Sequence, residues 1–128
     1  MEATIIIPGN PIAKKRPRFA RRGKFVVTYN DQETEEGRWI WELRQQWSLS
    51  PLEGSIQLEV NFYMPIPKNL LKKWDKTEHI KRPDLDNLIK FVKDCCNQTL
   101  WKDDSQVWNI KAFKMYSPNP QTFIRIYW

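Results

Sequence analysis

Between residues 84 and 104 the chain reads DLDNLIKFVKDCCNQTLWKDD, and five of its side chains suit one chemistry. Asp84, Asp86, Asp103 and Asp104 offer the hard oxygens that magnesium or manganese selects, and Lys90 is a cation able to steady charge growing on a phosphoryl group. A divalent ion held by such carboxylates neutralises phosphate charge and activates water; carboxylates gathered without one repel each other. The same residues have plain structural readings. Asp84 as N-cap and Asp86 in the first turn complement a helix dipole, and Asp103 with Asp104 fits a polar turn. Lys90, four residues after Asp86, makes a surface ion pair worth about 0.3 to 0.5 kcal/mol.

The remainder of the chain argues for a polyanionic partner. The net charge is +6, and it is concentrated. Residues 10 to 24, NPIAKKRPRFARRGK, contain Lys14, Lys15, Arg16, Arg18, Arg21, Arg22 and Lys24 with no acid, and Phe19 and Phe25 are interleaved. That mixture suits a phosphate backbone and exposed bases. A second basic run, with Lys72, Lys73, Lys81 and Arg82, comes just before the acidic motif. Base around an acidic centre is the electrostatic layout of a nuclease, in which the surface holds the polymer and the centre cuts it.

With 128 residues the chain is long enough for one domain with its own core and too short for two, so 1–128 is read as a single domain. Cys95 and Cys96 are adjacent, which suits neither a disulfide between them nor a zinc site, and they are expected to be reduced in a cytoplasmic protein. The start of the chain resembles no secretory leader, and no stretch is apolar for long enough to span a membrane. No glycine-rich phosphate loop follows a strand, so no nucleotide cofactor is expected.

The elements that must position these groups follow from periodicity. ATIII at 3 to 7 reads as a strand, and its nearly unbroken apolar character predicts a central one. The basic segment leads into a hairpin whose second arm is KFVVTY. A helix is expected from about 32 to 48, capped by Asn30 or Asp31, with Trp39, Leu43 and Trp47 on one face. Trp39, Trp47 and Trp101 are read as core, and Trp41 and Trp74 as contacts for a subunit or nucleic acid. SIQLEVNFYM alternates as a half-buried strand should, with Ile56, Leu58, Val60, Phe62 and Met64 inward. A helix over 85 to 98 places Leu85, Leu88, Ile89, Val92 and Cys96 on its apolar face, with Asn97 as left-handed cap. QVWNIKAFKMY and TFIRIYW are expected to pair antiparallel, with Lys111, Lys114 and Arg125 adding positive charge to the sheet. The class is α+β: a small single domain with a mixed or mostly antiparallel sheet covered by helices.

Geometry limits the acidic site. A helix from 85 to 98 carries the chain about 21 Å away, and the six steps to residue 104 can return about 20 Å. Asp104 therefore reaches Asp84 and Asp86 only if NQTLWKDD runs back almost straight or the helix ends early. Otherwise Asp104 meets the middle of the helix, or a carboxylate is borrowed across a subunit boundary.

PIAKKRPRF, DLDNLIK with Asp94 and Asn97, and WKDD at 101 to 104 together resemble the RusA family of Holliday junction resolvases, over nearly the full length. The resemblance implies a homodimer that binds branched DNA by shape and, with magnesium or manganese, places paired symmetric nicks in recombination and repair, often in a prophage setting. It aligns Asp84, Asp86 and Asp104 with three essential acids, Lys90 with a catalytic lysine, and Asp103 with a further acidic position. Many relatives have Asn-Gly where this chain has Asn97 and Gln98. Two other readings stand beside it: a nucleic-acid-binding module without catalysis, and a metal-dependent nuclease of other branched or single-stranded substrates.

Overall fold

The computed structural model describes residues 1–15, 18–23, 25–29, 32–74 and 76–128, giving the backbone alone for 18–22, 25–29, 71 and 72. The expected caps Asn30 and Asp31 lie outside the described residues. The elements run β1 (Glu2–Pro8), β2 (Arg18–Arg22), β3 (Phe25–Tyr29), α1 (Glu33–Gln46), β4 (Ile56–Pro65), α2 (Leu71–Trp74), α3 (Leu85–Cys96), β5 (Val107–Ser117) and β6 (Gln121–Tyr127). The chain is α+β, as its periodicities imply, and no described helix is long and apolar enough to cross a membrane.

A mixed sheet in the order β1-β6-β4-β5 carries the core, and β2, in the basic segment, forms a separate antiparallel hairpin with β3, which follows it. β4 alternates as expected, with Ile56, Leu58, Val60, Phe62 and Met64 all buried. They face α3, whose Leu88, Phe91, Val92, Cys95 and Cys96 recur at helical spacing and are buried in turn. Trp39 of α1 meets Phe91 edge to face, ring centroids 5.3 Å apart, so the two helices share one core over one face of the sheet. Trp39, Trp47 and Trp101 are core residues, and Trp41 is 59% exposed.

Three expectations are corrected. β1 is an edge strand, paired with β6 alone among the described strands. Its apolar run does not fill two faces: Ile5 and Ile7 are buried, while Ile6 is exposed. The open edge is satisfied by Gln46, which accepts from the Ile6 amide at 3.0 Å and donates to the Ile6 carbonyl at 2.8 Å. β5 and β6 are not paired; β4 lies between them, parallel to β5 and antiparallel to β6. Parallel pairing of β4 with β5 needs a long crossover, which the connection through α3 supplies, and the three residues between β5 and β6 step over the end of β4. The left-handed residue after α3 is Gln98, at φ 65°, while Asn97 has φ −58°.

Gln98 determines where the acidic residues go. Its amide donates to the Trp101 carbonyl at 2.7 Å, closing a tight turn, and Leu52 grips that turn through Leu52 N–H to Leu100 C=O at 2.8 Å and Lys102 N–H to Leu52 C=O at 3.2 Å. Leu52 lies just before β4, so NQTLWKDD folds onto the start of the sheet and does not run back along α3.

A candidate nuclease site divided between the two ends of one helix

Asp84 precedes α3 with extended backbone, φ −69° and ψ 147°, and its carboxylate makes no capping bond. Asp86 follows in the first turn. Both are exposed, as is Lys90, and the side chains of all three make no hydrogen bond or ion pair among the described residues. The surface ion pair between Asp86 and Lys90 is therefore not formed. Arg82, Pro83, Asp84 and Asn87 line an open cleft of about 610 Å³ at this end of the helix.

The approach to the cleft is held from the sheet. Ile110, Ala112, Lys114 and Tyr116 alternate toward the helices, and Lys114 Nζ donates to the carbonyls of Lys81 at 2.6 Å and Pro83 at 2.7 Å. The Lys114 carbonyl also accepts from the amide of His79 at 3.2 Å. His79 is buried against the Tyr116 ring. Its burial, together with the positive charges of Lys114 and Lys81, lowers its pKa and favours the neutral imidazole. Sequence reading missed the clamp, although a lysine among the inward positions of a strand was the available signal.

Asp103 and Asp104 stand at the other end of α3. Asp103 accepts from the amide of Ser105 at 2.9 Å and from its hydroxyl, and Gln106 reaches back to the Asp103 amide at 2.8 Å, completing a capping box. The Ser105 hydroxyl and amide hold the Asp103 carboxyl below its usual pKa. Its expected place as a metal ligand thus competes with work as a cap. Asp104 accepts from the Trp101 indole at 2.8 Å and is half-buried. It lies near enough to Cys96 to add to the burial and the neighbouring Cys95 that push that thiol's pKa far up.

Two rulers give the separation. Eleven helical rises from Leu85 to Cys96 amount to about 17 Å. Along the sheet, Asp104 leads into Val107, opposite Ile56, whereas Lys114, which holds Pro83, is opposite Phe62; those six strand steps amount to about 20 Å. Asp104 therefore does not join Asp84 and Asp86 within one chain. Among the described residues no three His, Cys, Asp or Glu side chains come together as a group that could hold a metal ion. The donor type at the open end still fits magnesium or manganese, which take one or two carboxylates and complete their shell with water and substrate phosphate.

The basic residues divide as well. Lys14 is engaged: its ammonium lies 3.0 Å from Glu36 of α1 and 3.0 Å from Asp94 of α3, and its amide donates to Asn87 at 2.9 Å. Burial works against its charge, but the bonds and charges of Glu36 and Asp94 outweigh it and raise the Lys14 pKa. Gln32 braces the same stretch, accepting from the Lys15 amide at 2.6 Å and donating to the Ala13 carbonyl at 2.8 Å. Lys14 thus roots the basic segment on both helices. The Lys15, Lys73, Lys81 and Arg82 side chains are exposed. Arg16 and Lys24 lie outside the described residues, as do the side chains of Arg18, Arg21, Arg22 and Lys72.

A family model described as Endodeoxyribonuclease RusA matches residues 8–127. A Bacillus subtilis (strain 168) protein, named only as uncharacterized protein YqaN, is 33% identical over 128 residues, covering 92% of this chain and 90% of that one.

Proposed function

Because the chain belongs to the RusA family of endodeoxyribonucleases, we propose that it resolves four-way DNA junctions by metal-dependent hydrolysis of paired phosphodiesters. The observation that carries this reading is the pair Asp84 and Asp86: both are exposed and without a side-chain partner among the described residues, and Asp84 lines an open cleft beside Arg82. A carboxylate pair serving only as a helix cap should use a side-chain oxygen on the helix amides, and Asp84 does not.

Asp84 and Asp86 are the residues that would hold magnesium or manganese. When bound, the ion supplies positive charge at the phosphoryl oxygens and acidifies water at neutral pH. Lys90, one turn beyond Asp86, directs its ammonium to the phosphate or to the oxygen that leaves it. Arg82 and Lys81 hold the flanking backbone, and Lys114 fixes the carbonyls that precede Asp84. Asp104 enters from a second copy of the chain. Asp104 lies beyond the far end of α3, a helix about 17 Å long, and no group of three such ligands forms within one chain among the described residues; a two-fold dimer that brings opposite ends of two α3 helices together supplies both carboxylate sets twice. Two centres related by two-fold symmetry suit two nicks in strands related in the same way. Recombination and repair in the cytoplasm are the corresponding setting.

The direct test incubates a synthetic immobile junction and a matched duplex with Mg²⁺, using the wild-type chain and Asp86→Asn. Paired nicks confined to the junction, abolished by the substitution while binding is retained, are expected. Nicking that survives Asp86→Asn places the chemistry elsewhere, and binding without nicking leaves a DNA-binding module. Preference for a flap, single strand or RNA makes the chain a different nuclease.

A further inference from the structure

The segment that enters the acidic cleft also walls a second concavity, apolar where the first is polar. It encloses about 300 Å³ between Trp74, Thr77, Glu78, Ile80, Lys81 and Tyr116. Its base is fixed: the rings of Trp74 and Tyr116 are tilted together with centroids 4.9 Å apart, and the Tyr116 amide and carbonyl bond Thr77 at 2.9 Å and Lys76 at 3.1 Å. Its rim is open. Ile80 is 88% exposed, and the Lys81 ammonium rests 5.3 Å from the centre of the Trp74 ring.

We infer that this pocket takes one unstacked base of the bound DNA, from a nucleotide beside the phosphate held at Asp84 and Asp86; the inference rests on the nuclease reading for which phosphate that is. An aromatic face with an apolar rim attracts any base through stacking and burial, without reading its edges. Charge selects the occupant. The chain from 73 to 82 carries Lys73, Lys76, Lys81 and Arg82 against Asp75 and Glu78, which favours a polyanion and disfavours a second copy of a chain carrying +6. Reach selects the nucleotide: Lys81 is three residues before Asp84, at most about 10 Å of chain. Ile80 is the wedge, an apolar side chain placed to enter a stack that has begun to open. A branch point supplies such a base at least cost, because pairing and stacking are already interrupted there. As the base covers Trp74, Lys81 gives up the indole face and turns to the adjoining phosphate.

The test measures junction binding without divalent ion, with an abasic site moved through the branch-point nucleotides, for wild type, Ile80→Ser and Trp74→Ala. Ile80→Ser alters a side chain with little packing to lose, so folding does not obscure it. The wild-type chain is expected to lose about tenfold in affinity at one position, in line with one stacked base. Both variants should lose a similar factor on the intact junction and not respond to the lesion. Lesion and substitution effects that multiply, or a wild-type chain indifferent to the lesion at every position, overturn the inference. So does a shift in sedimenting mass caused by Ile80→Ser, which makes the pocket a subunit contact. Coupling seen in a chain that never nicks keeps the base site and removes the metal centre; nicking without coupling does the reverse.

Discussion

Lys114 reaches from β5 to the carbonyl of Pro83 at 2.7 Å, one residue before Asp84. A strand lysine thereby fixes the approach to the acidic cleft without being positioned for the chemistry. Bonds to a charged group contribute about 1.5 to 3 kcal/mol each, so Lys114→Met should slow nicking about tenfold or more while junction affinity changes little. Lys114→Arg, which keeps the charge and donors, should recover most of the rate. An equal fall in rate and affinity, with no rescue, makes the residue merely structural.

Lys14 bridges Glu36 and Asp94, with oxygens 3.0 Å away on each side. Lys14→Met removes both of these charged contacts at the root of the basic segment, and a loss of about 1 to 3 kcal/mol by urea denaturation is expected. The pH dependence has a definite sign. The Lys14 pKa is raised in the folded chain, so its stabilisation is complete below the unfolded value near 10.5 and disappears as pH rises through the higher folded one. The difference in stability between wild type and Lys14→Met should narrow above pH 10.5; a difference constant with pH contradicts the ion-pair account.

Gln98 holds φ 65° after α3, a region that costs a side chain about 1 kcal/mol and costs glycine almost nothing. Gln98→Gly should therefore raise stability by about 1 kcal/mol, a few degrees in Tm. A lower Tm would show that the exposed Gln98 side chain contributes more than its backbone strain costs.

Much of this architecture was legible because it depends on local spacing. β4 and α3 each present one apolar face at the period of their element, and Trp39, Leu43 and Trp47 recur at helical spacing. Partnership was less legible. The isoleucines of β1 look the same whether they fill one face or two, and only Gln46, forty residues from Ile6, reveals a capped edge. The placement of β5 followed from a parallel crossover that neighbouring strands in sequence do not announce. At the site, the types of Asp84, Asp86 and Lys90 were readable from composition and spacing. The separation of Asp104 was not, because it depends on one left-handed residue and on the grip of Leu52. Lys14 looked like one more cation in a basic run, since both its acidic partners belong to distant helices.

Cys95 and Cys96 are both free and buried. Burial pushes the Cys95 thiol up to about 12, and Cys96 shifts in the same direction. Neither thiolate is available at neutral pH. Native protein at pH 8 should leave both unreacted with a thiol-specific disulfide reagent and keep its activity without reductant, while denatured protein reacts fully. Rapid modification of the native chain would mean that α3 opens readily.

The division of the carboxylates between the two ends of α3 is tested most directly by subunit mixing. Asp86→Asn and Asp104→Asn are each expected to be inactive alone. If the centre draws Asp86 from one chain and Asp104 from the other, a mixed dimer has one intact centre and one doubly altered centre. Mixing the two inactive proteins should then restore single-strand nicking of a junction in Mg²⁺, at up to about half the wild-type rate per mixed dimer. If mixed dimers form, as shown by co-purification of differently tagged chains, and no nick appears, the centre lies within one subunit and the account is contradicted.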